Sequence, residues 1–318
     1  MDQPITRESS LQPSMQPPAQ AIQQPVLAQQ VPRPTPQLSA IANPLMKHFR
    51  QPAMFISLTS KGQFWTENSL ELPANGEIPV YPMTAKDEII LKTPDALVNG
   101  SSVVQVIQSC CPNIKDAWGM PSIDVDTTLI AIRIASFGDN MSVSAKCPHC
   151  NEEHDYDINL HNVLGQIQPP KYNEPMVTPD GLQIKLRPLT YAQVSQAGNA
   201  SLEEDRMLQS LANPELSDEV RTIEYNKHIR KMIDINIANT TNCTASIIAD
   251  GVEVTDPKFI SEYYQNAEST VLRQIQTKVK GFSDAVSIKS QDTLCTSCEK
   301  QFKLNIEFDY ARFFANGS

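Results

Sequence analysis

Apolar residues in this chain fall into short alternating runs and longer helical stripes, and the two kinds are interleaved. Residues 53–58 (Ala-Met-Phe-Ile-Ser-Leu) read as a strand, Lys61-Gly62 as a turn, and Gln63-Phe64-Trp65 as the strand that pairs back. Residues 77–83 are extended, with Pro79 and Pro82 favouring a sheet edge. Residues 141–145 alternate again. So do His154, Tyr156, Ile158 and Leu160, and later Phe302, Leu304, Ile306 and Phe308, the last set opposed by Lys303, Asn305, Glu307 and Asp309. Asp180-Gly181 and Asp250-Gly251 sit between alternating runs and predict two hairpins.

The helical stripes come with end signals. Asn43 opens a short capped helix, 43–50. Thr84 offers an N-cap with Asp87 three residues on, and Ile89, Ile90 and Leu91 supply an apolar face that Pro94 interrupts. Ser101 or Ser102 caps a helix through Val103, Val104, Val106 and Ile107, ending at the packing cysteines Cys110 and Cys111; Trp118 follows in a loop. Residues 127–138 make a helix with Leu129, Ile130, Ile132 and Phe137 apolar and Gly138 as its C-cap. After Leu160 comes a proline-rich loop. Helices then begin at Tyr191 and Ser201. A long helix opens at Ser217 and carries Val220, Ile223, Ile229, Ile233 and Ile237. Asp256-Pro257 starts a final helix that runs to about Gly281. The terminal aromatics Phe308, Tyr310, Phe313 and Phe314 read as core. The expected class is α+β, with helices mixed among short antiparallel strands.

Residues 1–42 show neither pattern. They are rich in Pro and Gln, as in Val31-Pro32-Arg33-Pro34-Thr35-Pro36, and read as an extended arm with no core of its own, suited to draping over neighbouring subunits. Three further regions are expected: an α+β region at 43–161, an inserted helical lobe with hairpins at 162–293, and a C-terminal strand region at 294–318.

Composition narrows the function. The chain has 318 residues, enough for about two domains. Its net charge of −10 and lack of a Lys/Arg cluster argue against a nucleic-acid partner. The start lacks a basic-apolar-small leader, and no run of about 18 apolar residues occurs, so no membrane association is expected. There is no GxxxxGK[ST], HExxH or GxSxG, so neither an enzyme nor a small-molecule substrate is expected. Seven cysteines, an odd number, suit a reducing compartment better than a disulfide scaffold.

Four of those cysteines carry the chemistry. Cys147-Pro148-His149-Cys150 and Cys295-Thr296-Ser297-Cys298 are CxxC turns, each followed by an alternating strand. A turn with two thiolates feeding a strand is a zinc knuckle, and two knuckles supply the four sulfurs of a closed tetrahedral Zn²⁺ site. The ligands expected are therefore Cys147, Cys150, Cys295 and Cys298, a zinc-ribbon-like site joining distant segments. The gap between pairs far exceeds the ribbon spacing of roughly 15–20 residues, so the intervening chain must fold as an insertion. An iron–sulfur cluster is the alternative four-cysteine cofactor. A thioredoxin-type redox pair is disfavoured, because that motif precedes a helix. His149 and His154 are read as solvent or packing residues.

Several segments together resemble the baseplate hub and hub-assembly proteins of T-even-like myophages. They are Met83-Thr84-Ala85-Lys86-Asp87-Glu88, Thr93 to Gly100, Val103 to Cys111, Asp126 to Gly138 ahead of the first CxxC, and Leu186-Arg187-Pro188-Leu189-Thr190, within about residues 43–312. The resemblance implies a structural or assembly role in a contractile tail, with other baseplate and tail proteins, and copies of itself, as partners. The protein would then be made in the bacterial host cytoplasm and built into the virion. A transient hub-assembly chaperone absent from the virion is the alternative, and a zinc-ribbon nucleic-acid-binding or redox protein the remoter one.

Overall fold

The computed structural model describes residues 43–93, 100–211, 216–306 and 313–314. The expectations for the arm, for Pro94 and for Phe308 and Tyr310 lie outside these residues. The chain divides into two compact units, Met1–Phe49 and Arg50–Ser318. The described part of the first is a 3₁₀ turn, Pro44–His48, capped by Asn43, whose Oδ1 accepts from Leu45 N at 3.0 Å. The second mixes eight described α-helices with ten short strands in four antiparallel sheets.

Strands β1 (Met54–Ser57) and β2 (Glu77–Val80) pair with Ile56 opposite Ile78. The strand expected at Gln63–Trp65 does not form. Lys61, Gly62 and Phe64 all have positive φ (53°, 78° and 66°), which breaks any ladder there. Helix α1 (Ala85–Leu91) starts with a reciprocal capping box between Thr84 and Asp87. Of its expected apolar face, Leu91 is buried but Ile89 is exposed.

Helix α2 (Ser101–Cys110) begins after Gly100, whose φ of 78° suits glycine, and not after a serine cap. Ser102 instead donates to Ile90 O at 3.0 Å. Arg50 ties the start of this unit to both helices, donating to Pro82 O and Ser109 O at 2.6 Å each and reaching Asp87 Oδ2 at 3.5 Å.

Helix α3 (Ser122–Phe137) begins five residues before the expected start at 127. It is buried almost all round from Ile123 to Ile134, as befits the axis of a core. Met120, Leu129, Ile130 and Ile132 join Ile78, Val106 and Ile107 in one apolar cluster. Phe313 and Phe314 are buried in it too, as their aromatic run suggests.

After α3 come β3 (Asn140–Lys146) and β4 (Glu153–Asn159), an antiparallel hairpin. Leu160 does not continue the strand. It opens α4 (Leu160–Gln166), which the proline-rich loop reading misses; Asn159 caps it by accepting from Asn162 N at 3.2 Å.

A second apolar cluster is built on the sheet β5 (Met176–Val177), β6 (Gln183–Leu186), β7 (Thr244–Ala249) and β8 (Val252–Val254), in that order. Both Asp-Gly turns are where the pattern puts them, with Gly181 and Gly251 at φ 88° and 82°. Helices α5 (Tyr191–Leu211) and α6 (Asp218–Asn242) lie between the hairpins in sequence. The former is one helix and not two, because nothing between Ala197 and Ser201 stops it; Gly198 weakens a helix interior by about 1 kcal/mol but does not end it.

Helix α6 keeps its length, but of its expected apolar stripe only the far end packs inward, with Ile237 against the second cluster. Ile223, Ile229 and Ile233 are exposed, while His228 is buried. Its Nδ1 shares a 2.5 Å hydrogen bond with Glu204 Oε2 of α5, whose Oε1 accepts from Lys231. Finally, the expected single helix to Gly281 is two, α7 (Pro257–Asn266) and α8 (Ser269–Val286). A straight helix over this span would run about 45 Å. The extended step at Ala267 and Glu268 lets Ile260 and Tyr264 on one side, and Val271, Ile275 and Phe282 on the other, share one cluster.

Candidate metal centre

Each CxxC occupies the tip of a hairpin. The first joins β3 to β4; the second joins β9 (Gln291–Leu294) to β10 (Gln301–Leu304). The two tips have one backbone design. In the first, Cys147 N donates to Glu152 O at 2.9 Å and Asn151 N donates to Cys147 O at 2.9 Å. In the second, Cys295 N donates to Lys300 O and Glu299 N to Cys295 O, both at 3.0 Å. The fifth residue of each tip is left-handed, Asn151 at φ 66° and Glu299 at φ 55°. This geometry turns both thiols of a tip to the same side.

The tips face one another. Sγ of Cys147 is 3.7 Å from that of Cys298, and Sγ of Cys150 is 3.6 Å from that of Cys295. All four sulfurs lie within 4.8 Å of one another, an arrangement that could hold a metal ion. The first cysteine of each pair is buried and the second half-buried, so the two tips match in depth as well. Four ligands about 2.3 Å from one tetrahedral ion stand about 3.8 Å apart, which the cross-hairpin spacings approach. A disulfide would need about 2.05 Å, and all four are free thiols.

Electrostatics agree with this donor set. The backbone N–H groups of Cys298 and Ser297 draw the Cys295 thiol down to about 6. On Cys150 the Glu152 N–H acts in the same direction, but burial and the neighbouring sulfurs outweigh it and push that thiol up to about 12. A dication bound among the sulfurs would favour the deprotonated form of each thiol. The other cysteines lie outside this cluster, and burial pushes Cys110 to about 12 and Cys243 to about 11, and Cys111 higher still.

Side chains beyond the cysteines lock the hairpins together. His154 Nε2 shares a 2.7 Å hydrogen bond with Ser297 Oγ, and His149 Nε2 shares one of 3.2 Å with Gln301 O. The rings of Tyr156 and Phe302 meet edge to face at 5.5 Å below the tips. Neither histidine joins the four sulfurs. Their bridging role is absent from the solvent-or-packing reading, because a one-residue position in a turn does not say which way an imidazole points across to another hairpin. Of the two left-handed positions, Asn151 had a signal in its residue type and Glu299 had none.

A family model described as T4 bacteriophage base plate protein matches residues 66–315. No curated protein and no solved structure matches the chain. The match takes in both hairpins and the helices between them. Among the described residues no helix is long and apolar enough to cross a membrane.

Proposed function

The chain belongs to the T4 bacteriophage base plate protein family, and from that premise we propose that it is a built-in structural component of a contractile tail baseplate, at or next to the hub. It is made in the bacterial host cytoplasm and binds neighbouring baseplate subunits in the virion. Cys147, Cys150, Cys295 and Cys298 would hold one structural Zn²⁺.

The observation that carries this reading is the convergence of two like-built CxxC tips on one point, with sulfurs 3.6 and 3.7 Å apart across the gap. All four sulfurs lie within 4.8 Å of one another, which favours one shell around a single ion over an iron–sulfur cluster, whose cysteine sulfurs are divided among two or four irons and so spread further apart. A bound zinc supplies a closed four-coordinate cross-link, with no position left for water or substrate. The chain's own contribution is to hold the sulfurs ready. The hairpins fix the turns, Tyr156 and Phe302 fill the space beneath, and His149 and His154 bridge the sides. A tie across about 150 residues stabilises by about 5 kcal/mol on the chain-entropy account. A part that must withstand tail contraction is served by such a tie.

A peptide map of purified virions tests the built-in role. Abundant peptides from 43–318, in constant ratio to other baseplate proteins, are expected. Their absence from virions that contain the rest of the baseplate would defeat it and leave the transient assembly factor.

A further inference from the structure

A groove of about 830 Å³ runs between α8 and the segment leading into β5, and none of the four cysteines lines it. We propose that this groove binds an extended segment of a partner subunit in which apolar residues alternate with Asp or Glu. That the partner is another baseplate protein rests on the reading above; the chemistry of the groove does not.

The groove meets the sheet at an edge. Strand β5 is the outermost of its four, paired with β6 alone. Successive side chains of a strand point to opposite faces, yet Met176 and Val177 both line the groove. A single cavity can touch both only by running along the strand's margin. Val177 is also among the most exposed apolar residues described, at 62%. Pro175 precedes this two-residue strand and has no N–H, so the edge offers one or two main-chain hydrogen bonds, and side chains must supply the rest.

The opposite wall is α8. Gln274, Lys278, Gly281 and Ala285 recur every three or four residues along it, a stripe of about 17 Å. Its lower end is small: Gly281 has nothing within 4 Å of where a Cβ would stand. Phe282 forms the floor, packed on Tyr172 at 4.3 Å. This is an apolar trough between an edge strand and a helix, the setting in which extended peptides are taken up.

The charge selects the occupant. Lys171, Arg273 and Lys278 surround the trough. Among the described lining residues Glu174 is the one carboxylate, and it pairs with Lys171 at 3.6 Å. Lys278 lies over the Phe282 ring at 5.5 Å, holding its charge against the apolar floor. A basic trough on a chain of net charge −10 repels basic segments and draws acidic ones.

The test uses the full-length protein and fluorescence anisotropy of a labelled eight-residue peptide that alternates valine or phenylalanine with glutamate. A second peptide replaces each glutamate with lysine. The acidic peptide is expected to bind saturably and the lysine peptide at least about tenfold more weakly. Gly281→Leu fills the trough where space is open and improves the helix. It should weaken the acidic peptide at least about tenfold while the melting temperature holds or rises. Lys278→Glu with Arg273→Glu should do the same. Absence of binding, equal binding of both peptides, or unchanged binding in Gly281→Leu would overturn the proposal. So would a wild-type dimer that Gly281→Leu dissociates, which would place a second copy in the trough. Failed titrations with a protein that is present in virions defeat the groove alone; its absence from virions defeats the baseplate reading and leaves the titrations standing.

Discussion

The sulfurs of Cys147 and Cys298 lie 3.7 Å apart although 151 positions separate them in the chain. Any ion bound there closes a loop that holds most of the folded chain. Cys298→Ser should therefore lower the melting temperature by the same amount that a strong chelator lowers it in the parent, and chelator should add nothing to the variant. The expected loss is about 5 kcal/mol. Thermal melts of parent and variant, with and without chelator, read this out; four superimposed curves would count against the tie.

The hydrogen bond between His154 and Ser297 is a second, independent link across the tips. His154→Ala and Ser297→Ala should each cost about 1 kcal/mol. The double variant should cost less than the sum of the two. A denaturation series on the four proteins measures the coupling, and strict additivity would show that the bond contributes nothing.

Glu299 is left-handed at φ 55°, a conformation that asparagine tolerates and glutamate does not favour. The matching position in the other tip is already Asn151. Glu299→Asn should raise stability by up to about 1 kcal/mol without changing metal content. A lower melting temperature would mean that the glutamate side chain has a role there.

Asp124 at the start of α3 is buried and accepts from Ser60 N at 2.7 Å, from Ser60 Oγ at 2.5 Å and from Trp65 Nε1 at 3.0 Å. Burial raises its carboxyl to about 6 from 3.8, against those bonds. Between these values the native state keeps a proton that the unfolded state has lost. This group's stabilising contribution is therefore full below about pH 4 and falls by about 3 kcal/mol as pH rises to about 6. Asp124→Asn should remove that slope. Unfolding free energies at intervals from pH 4 to 7 for both proteins give the difference directly, and parallel profiles would contradict it.

The short-range features were legible. Thr84 and Asp87, Asp180-Gly181, Asp250-Gly251 and Asp256-Pro257 each carry their own stereochemistry, and the structure places turns and caps there. The convergence of the two CxxC pairs could be inferred from ligand number alone, because four sulfurs complete a shell that two cannot. What escaped depends on contacts with distant residues. Phe64 leaves the strand pattern as the loop turns to bring Trp65 to Asp124, 59 positions away. Helix α6 shows Ile223, Ile229 and Ile233 to solvent, while its His228 and Lys231 bond to the buried Glu204 of α5. The break at Ala267 and Glu268 has no glycine or proline to mark it; it follows from fitting two helices to one cluster.

Metal content is the most direct measure of the central claim. Elemental analysis of the purified full-length protein should give about one zinc per chain, with no iron in proportion to protein. The Cys147→Ser and Cys298→Ser variants, purified alongside, should retain little or none. A parent protein without bound metal, or variants that keep the parent's zinc content, would contradict the account.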